Sequence, residues 1–362
     1  MKYVETFELV VKKGLTRNER KVLYGLVRHP TMNDRELSEE MEVKHSTITA
    51  IRRRLHESGY FKTVRIPAVN RLGYELIVVR YGKFSPSAGD ALRNRFVDAL
   101  RRENKGLYYL LTSPGFFFHV SAVRNYTSYR RWAEAIEFEF AETDLFRGAE
   151  GTSAVFPFET SKHIRHFDYS WILRGLFDIR DKVIVEAPFQ KVDVRRLTKK
   201  ERTVLRGLVE RPEDTDVALS KRIDASRQVI STMRKKFERT GLMRTARIVD
   251  LRKLGYEILA FGHFKYSPKT PLRLRTEGIQ RSVQQVPQFL NFSANVETIG
   301  CGAFRNYDEH FKTKKGLLSF YTEKGFLDAE PRSELIALSE TNIPVNCDFS
   351  SLIKEAVESM PK

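Results

Sequence analysis

Two stretches of the chain combine small hydroxyl side chains with closely spaced cations. The first, residues 45–54, reads HSTITAIRRR, and the second, residues 227–236, reads RQVISTMRKK. Apolar residues at Ile48, Ile51 and Leu55 follow a helical spacing, so the hydroxyl and basic side chains share the opposite face. Small polar side chains let a helix approach DNA closely, and cations one turn later reach phosphates or guanine. We therefore expect two helices that bind double-stranded DNA.

The candidate DNA contacts lie on these two helices and on the strands expected after them. On the helices they are His45, Ser46, Thr47, Thr49, Ala50, Arg53, Arg54, Arg227, Gln228, Ser231, Thr232, Lys235 and Lys236. On the strands they are Lys62, Arg65, Arg244 and Arg247, which we expect to hold the DNA backbone or minor-groove edges. The cations should mainly supply affinity, and the hydroxyl and amide groups should supply discrimination.

Signatures of catalysis are scarce in the sequence. It contains no GxxxxGK[ST], GxGxxG or HExxH motif. His163, His166 and Asp168 lie close together, but the second half of the chain has Ile343 and Asn346 in the corresponding region. We predict that the protein is not an enzyme and holds no metal or cofactor, and that Cys301 and Cys347 are small buried residues.

The two candidate helices belong to an internal repeat. Residues 15–86 align with residues 197–268 at a constant offset of 182, so that LTRNERKVLYGLV returns as LTKKERTVLRGLV. A period of this size indicates a duplicated, domain-sized unit. Because His45-Ser46-Thr47 differs from Arg227-Gln228-Val229, we expect the two copies to prefer different DNA half-sites.

Each repeat begins with the pattern of a winged helix-turn-helix. In the first copy, apolar spacing, capping residues and a final glycine predict three helices and a strand, over residues 16–29, 35–41, 45–57 and 60–66. Thr16 and Glu19 form a capping box, and Asp34 is the expected cap of the second helix. The same elements are expected in the second copy over residues 198–211, 216–223, 226–239 and 243–248.

The remainder of each repeat reads as strand–helix–strand–strand–helix–strand, which is typical of a ferredoxin-like sandwich. The predicted fold is therefore α+β, with two tandem copies of a winged helix-turn-helix followed by a ferredoxin-like domain. The predicted domains are winged helix 1 at 1–68, sandwich 1 at 69–182, winged helix 2 at 183–250 and sandwich 2 at 251–362.

This order of elements resembles the Lrp/AsnC family of transcriptional regulators. The best matching stretches are LSEEMEVKHSTITAIRRRLHESGY, VNRLGYELIVV and TSPGFFFHVSAVRNY. The resemblance implies that residues 45–54 and 227–236 are recognition helices, that the second domain pairs through its sheets, and that one chain forms a pseudo-dimer. The family typically has Gly-x-x-Asp between its second and third strands, whereas here Gly115 is followed by Phe116, Phe117 and Phe118.

Composition agrees with a nucleic-acid partner. The net charge is +17, the hydrophobic fraction is 41%, and the absence of a signal peptide or a long apolar run favours a cytoplasmic protein that binds no membrane. We expect a sequence-specific transcriptional regulator, with an unknown small-molecule effector and further pairing into a homodimer both left open. The alternatives are a non-specific architectural DNA-binding protein and a scaffold that binds RNA or protein.

Overall fold

The computed structural model of the protein describes residues 14–146, 151–179, 194–327 and 330–360. No helix within these ranges has the length and apolar character needed to cross a membrane.

The first half of the chain begins with three helices and a strand, close to the predicted positions. These are α1 (Arg17–Arg28), α2 (Asp34–Met41), α3 (His45–Glu57) and β1 (Phe61–Pro67). The predicted capping box of Thr16 and Glu19 is present at α1. The predicted cap of α2 is wrong by one residue: Asn33 accepts the backbone N–H groups of Arg35 and Glu36, and Asp34 is the first helical residue.

The rest of the first half supplies the first sandwich. Its elements are β2 (Leu76–Lys83), α4 (Asp90–Glu103), β3 (Leu107–Ser113), β4 (Phe116–Val123), α5 (Tyr126–Phe140), β5 (Thr152–Pro157), β6 (Lys162–His166) and α6 (Ser170–Phe177).

The second half repeats this order of elements. It comprises α7 (Lys199–Glu210), α8 (Asp216–Ser220), α9 (Arg227–Arg239), β7 (Met243–Val249), β8 (Ile258–Lys265), α10 (Leu272–Gln285), β9 (Gln288–Ser293), β10 (Glu297–Phe304), α11 (Tyr307–Glu323), β11 (Arg332–Ala337), β12 (Asn342–Asn346) and α12 (Ser350–Glu358). Helix α8 stops at Ser220, earlier than the expected end at residue 223.

Both large sheets have five antiparallel strands, and each takes one strand from the other half. Their orders are β12-β3-β4-β2-β5 and β11-β8-β10-β9-β6. The four strands contributed by one half follow the order expected of a ferredoxin-like sandwich. The fifth strand is exchanged: β6 pairs with β9, and β12 pairs with β3.

The two wing strands also join the halves. Strand β1 pairs with β7 along its whole length, from Phe61 opposite Val249 to Pro67 opposite Met243. Both wings are therefore used in a two-stranded sheet inside the protein. Aromatic contacts between the faces of the two large sheets complete the shared core, as in the ring pair of Tyr81 and Phe261 at 4.5 Å.

Candidate functional site

The predicted DNA-contact residues of α3 and α9 lie mainly on accessible surface. His45, Ser46, Thr49, Ala50, Arg53, Arg54, Arg227, Gln228, Thr232 and Lys235 are exposed, whereas Thr47, Ser231 and Lys236 are half-buried. Contact of these residues with DNA stays a prediction.

Two of the helix cations are held by carboxylates of their own half. Arg54 pairs with Glu19 at 2.6 Å, and Lys236 pairs with Glu201 at 2.8 Å. Both glutamates also form the capping boxes of α1 and α7. Arg54 and Lys236 therefore stabilise helix termini of the fold, and less of their charge is left for an outside partner than the sequence suggests.

The wing cations Arg65 and Arg247 point into the protein, which differs from their expected role on DNA. Arg65 is 8% exposed and donates to the carbonyl of Leu208 near the end of α7, while Arg247 is 9% exposed and donates to the carbonyl of Leu26 near the end of α1. Each arginine thus caps a helix of the opposite half, where cations interact favourably with the last carbonyls. Burial lowers the pKa of both guanidinium groups to about 10.

The other two wing cations, Lys62 and Arg244, meet the exchanged strands. Lys62 Nζ donates to the carbonyl of Asn346 at 2.7 Å, and Arg244 Nη2 donates to the carbonyl of His166 at 2.5 Å. Both acceptors are the last residues of exchanged strands, β12 and β6. The wing cations therefore connect the two halves of the protein. Because β1 and β7 pair with each other, these side chains lie beside the opposite half and donate to its carbonyl groups.

A cleft lies where the wing sheet meets the exchanged strand β12, and the pseudo-equivalent place at β6 holds a cluster of histidine, arginine and aromatic side chains. The cleft at β12, named the open cleft, has a volume of about 240 Å³. Its walls include Lys62, Arg252, Asn346 and the stacked rings of Tyr169 and Phe289, which lie 5.0 Å apart.

The pseudo-equivalent cluster at β6, named the histidine cleft as the counterpart of the open cleft, comprises Arg244, His163, His166, Tyr108 and Phe292. The Nε2 atom of His166 lies 3.2 Å from the hydroxyl of Tyr108, and the two histidine rings are 6.1 Å apart. The ring of His163 lies edge-on to Phe292 at 5.0 Å. Because His163 and His166 are the second and last residues of β6, their counterparts in β12 are Ile343 and Asn346. No histidine is among the described residues that line the open cleft.

Electrostatics in the histidine cleft favour uncharged imidazoles. Burial lowers the pKa of His163 to about 4. Burial, followed by the positive charges of His163 and Arg244, holds the pKa of His166 well below its ordinary value. Arg244 remains solvent-accessible although the protein surrounds it closely, and the resulting desolvation lowers the pKa of its guanidinium.

The histidine cleft was missed in the sequence because its residues come from distant segments and its two histidines resembled ordinary core residues. Asp168, the third member of that cluster, accepts from the backbone and hydroxyl groups of Ser170, and its negative charge opposes the effect of desolvation on the pKa of Arg244. Across the described ranges, no three His, Cys, Asp or Glu side chains are grouped as a metal site would require. Both cysteines are buried, as expected, and burial raises their pKa values, that of Cys301 to about 12.

Comparison with known proteins gives a full-length likeness in fold. No protein-family model matches the chain, and no curated protein sequence matches it. The crystal structure of the siroheme decarboxylase NirDL matches with a TM-score of 0.52 at 12% identity, covering 95% of this chain and 98% of that one. The same enzyme in complex with an iron-uroporphyrin III analogue matches with a TM-score of 0.50 at 11% identity, covering 96% and 100%.

Likeness to regulators is confined to part of the chain. An AsnC-family transcriptional regulator from Agrobacterium tumefaciens covers 39% of this chain and 89% of its own length, with a TM-score of 0.31 at 14% identity. The expected mixed α+β fold class is confirmed by the order of helices and strands. The full-length likeness to an enzyme contradicts two other expectations, namely that the chain is a DNA-binding regulator, specific or architectural, and that it is not an enzyme.

Proposed function

We propose that this protein binds a carboxylate-bearing tetrapyrrole at the histidine cleft and removes a carboxyl group from it as CO₂. The observation that carries the proposal is the grouping of His163, His166 and Arg244 at one of two pseudo-equivalent places in the fold. The full-length likeness in fold to a siroheme decarboxylase supports this class of substrate.

The cleft has the groups that a carboxylated aromatic ligand requires. The guanidinium of Arg244 uses one nitrogen on the His166 carbonyl and carries further N–H donors for a carboxylate. The rings of Tyr108, Phe167 and Phe292 surround His166, with centroids 5.1 to 5.7 Å away. These rings offer apolar and edge contacts to a flat ligand.

The histidines would supply the proton that replaces CO₂. When the bond between the carboxylate and its neighbouring carbon breaks, the electron pair remains on that carbon and must take up one proton. A bound carboxylate raises the pKa of a nearby imidazole, so substrate binding would charge a histidine that is neutral in the free protein. When the carbon that loses CO₂ lies within hydrogen-bond reach of His166, this residue can act as the general acid. Its Nε2 atom lies beside the hydroxyl of Tyr108.

The direct test is anaerobic incubation of the purified protein with siroheme, followed by mass spectrometry of the tetrapyrrole. We expect stepwise loss of CO₂ from the wild type. His166→Asn introduces the residue of the counterpart strand, and it should slow the reaction by roughly 10²–10⁴-fold, the range for loss of a general acid. Asn346→Ala, in the open cleft, is the matched control and should retain activity. Unchanged tetrapyrrole with the wild type, or equal rates in His166→Asn, would refute the proposal.

We further infer that the chain is a tandem duplication of a winged helix and a ferredoxin-like domain, acting as a pseudo-dimer. The repeated order of elements and the reciprocal pairs of Arg65 with Leu208 and Arg247 with Leu26 support this inference. On this view, divergence of the copies left imidazoles in one cleft only.

A further inference from the structure

The two sandwiches differ at corresponding positions between sheet and helices. In the first, Arg80 and His119 are cross-strand partners, and in the second the partners at the matching place are Gly262 and Gly300. Trp132, seven residues after the Asn125 cap of α5, packs against His119 at 5.6 Å. The residue seven positions after the corresponding cap of α11, Asn306, is Thr313. Three large side chains of the first sandwich thus have two glycines and a threonine as their counterparts.

Because the second sandwich has small residues where the first has large ones, it contains a cavity of about 70 Å³. Its walls are mainly apolar and include Phe264, Phe304 and Leu317. Phe264 lies over Gly262, where an added Cβ would come within 2.8 Å of its ring. At Gly300, the nearest atom to an added Cβ is the side-chain nitrogen of Gln288 at 3.3 Å, so a small side chain fits there once the Gln288 amide shifts by a few tenths of an ångström.

The cavity continues into a groove along the outside of α11. His310, Lys314 and Leu318 line both spaces, and the groove adds the exposed rings of Tyr307 and Phe311. The groove has an open volume of about 700 Å³. The combined space therefore has a narrow apolar interior and a wide mouth.

Polar groups are concentrated where cavity and groove join. The ammonium of Lys314 lies 3.1 Å from the hydroxyl of Ser333, and Lys315 lines the groove one residue further along. His310 is 8% exposed, and none of the described residues forms a hydrogen bond with its Nδ1 atom. A buried ring nitrogen without a partner is costly, so this atom indicates a polar group that completes the site.

We propose that the second sandwich binds an aliphatic carboxylate, with its apolar chain between α11 and the glycine-bearing sheet and its carboxylate at Lys314 and His310. A chain is favoured over a ring because the interior is about 70 Å³, roughly half of the ~150 Å³ cavity that holds benzene in an engineered protein. The cation at the mouth favours a carboxylate over an amine. This site is separate from the histidine cleft and does not depend on its function.

The test uses sodium octanoate as the probe and the thermal midpoint and isothermal titration of the full-length protein as readouts. We expect saturable binding to the wild type and a rise in the midpoint. Gly300→Val should fill the cavity and weaken binding at least tenfold while the protein stays folded. Lys314→Ala should weaken octanoate and leave the binding of 1-octanol unchanged, and Lys312→Ala, on the same helix outside the lining, is the control.

Several outcomes would overturn the assignment. They are absence of saturable octanoate binding, equal affinity in Gly300→Val and the wild type, or equal loss in Lys314→Ala and Lys312→Ala. If Gly300→Val fails to fold, Thr313→Trp restores the side chain of the first sandwich and tests the same space.

Discussion

Four cations on the wing strands link the two halves of the protein. Lys62, Arg65, Arg244 and Arg247 each donate to a main-chain carbonyl of the opposite half. No local pattern could have indicated this, because each acceptor lies at least 78 positions away along the chain. The histidine pair was undervalued for a related reason. The sequence feature that could have indicated this pair is a difference between the two repeats: the first has His163 and His166 where the second has Ile343 and Asn346.

Removal of either helix-capping arginine should destabilise the protein. Arg65→Ala and Arg247→Ala each leave a buried carbonyl without its charged donor, which costs about 1.5–3 kcal/mol in the free energy of unfolding. Urea denaturation measures this change. Arg53→Ala, on the exposed face of α3, should stay within about 0.5 kcal/mol of the wild type. Equal effects at all three positions would contradict the assigned roles.

Buried histidines should make the protein sensitive to acid. Burial lowers the pKa of His163 to about 4, and burial followed by Arg80 lowers that of His119 to about 3, from an ordinary value of 6.5. Between pH 6.5 and pH 4 the unfolded chain binds protons that the folded chain does not, so stability falls as the pH is lowered. The stability that the neutral histidines contribute is fully present above pH 6.5.

Urea midpoints at pH 7 and pH 5 test this pH dependence. His163→Ile should reduce the difference between the two midpoints, whereas His45→Ala on the exposed face of α3 should leave it unchanged. A difference that His163→Ile does not reduce would show that this imidazole is not buried as described.

At the scale of elements, local signals predicted more than long-range pairing could. The predicted span of α3 is confirmed, and the capping box at Thr16 is present, because both depend on residues within a few positions of each other. The sequence predicted one strand at the end of the first sandwich, whereas the structure has two, β5 and β6. The exchange of β6 and β12 between the halves was not predicted either. A five-residue strand such as KHIRH carries no sign of the sheet that it joins.

Pairing of β1 with β7 should make the stability of the two winged units interdependent. Ala246 lies opposite Val64 in the paired wings, and both are buried. Ala246→Pro removes a backbone donor from the ladder and should destabilise both winged units together. Hydrogen exchange would then show lost protection in α1 and α7 alike. Loss confined to the second half would mean that the wings do not connect the halves.

At the scale of the whole molecule, the halves form one folding unit. Each five-stranded sheet requires a strand from the other half, and the helix pairs α1 with α6 and α7 with α12 pack close to the wings. Residues 1–182 and 183–362, produced as separate polypeptides, should therefore copurify when coexpressed and should not yield stable monomers alone. Size-exclusion chromatography with light scattering measures this, and a stable monomer of either half would contradict the account.

The central claim is that the histidine cleft receives a carboxylated tetrapyrrole. The most direct measurement is an anaerobic absorbance titration of the full-length protein with iron-uroporphyrin III. The wild type and Asn346→Ala should give saturable spectral changes with similar affinity, and the double variant His163→Ile, His166→Asn should bind at least tenfold more weakly or give a different spectrum. An unchanged spectrum with the wild type, or one titration curve shared by all three proteins, would contradict the claim.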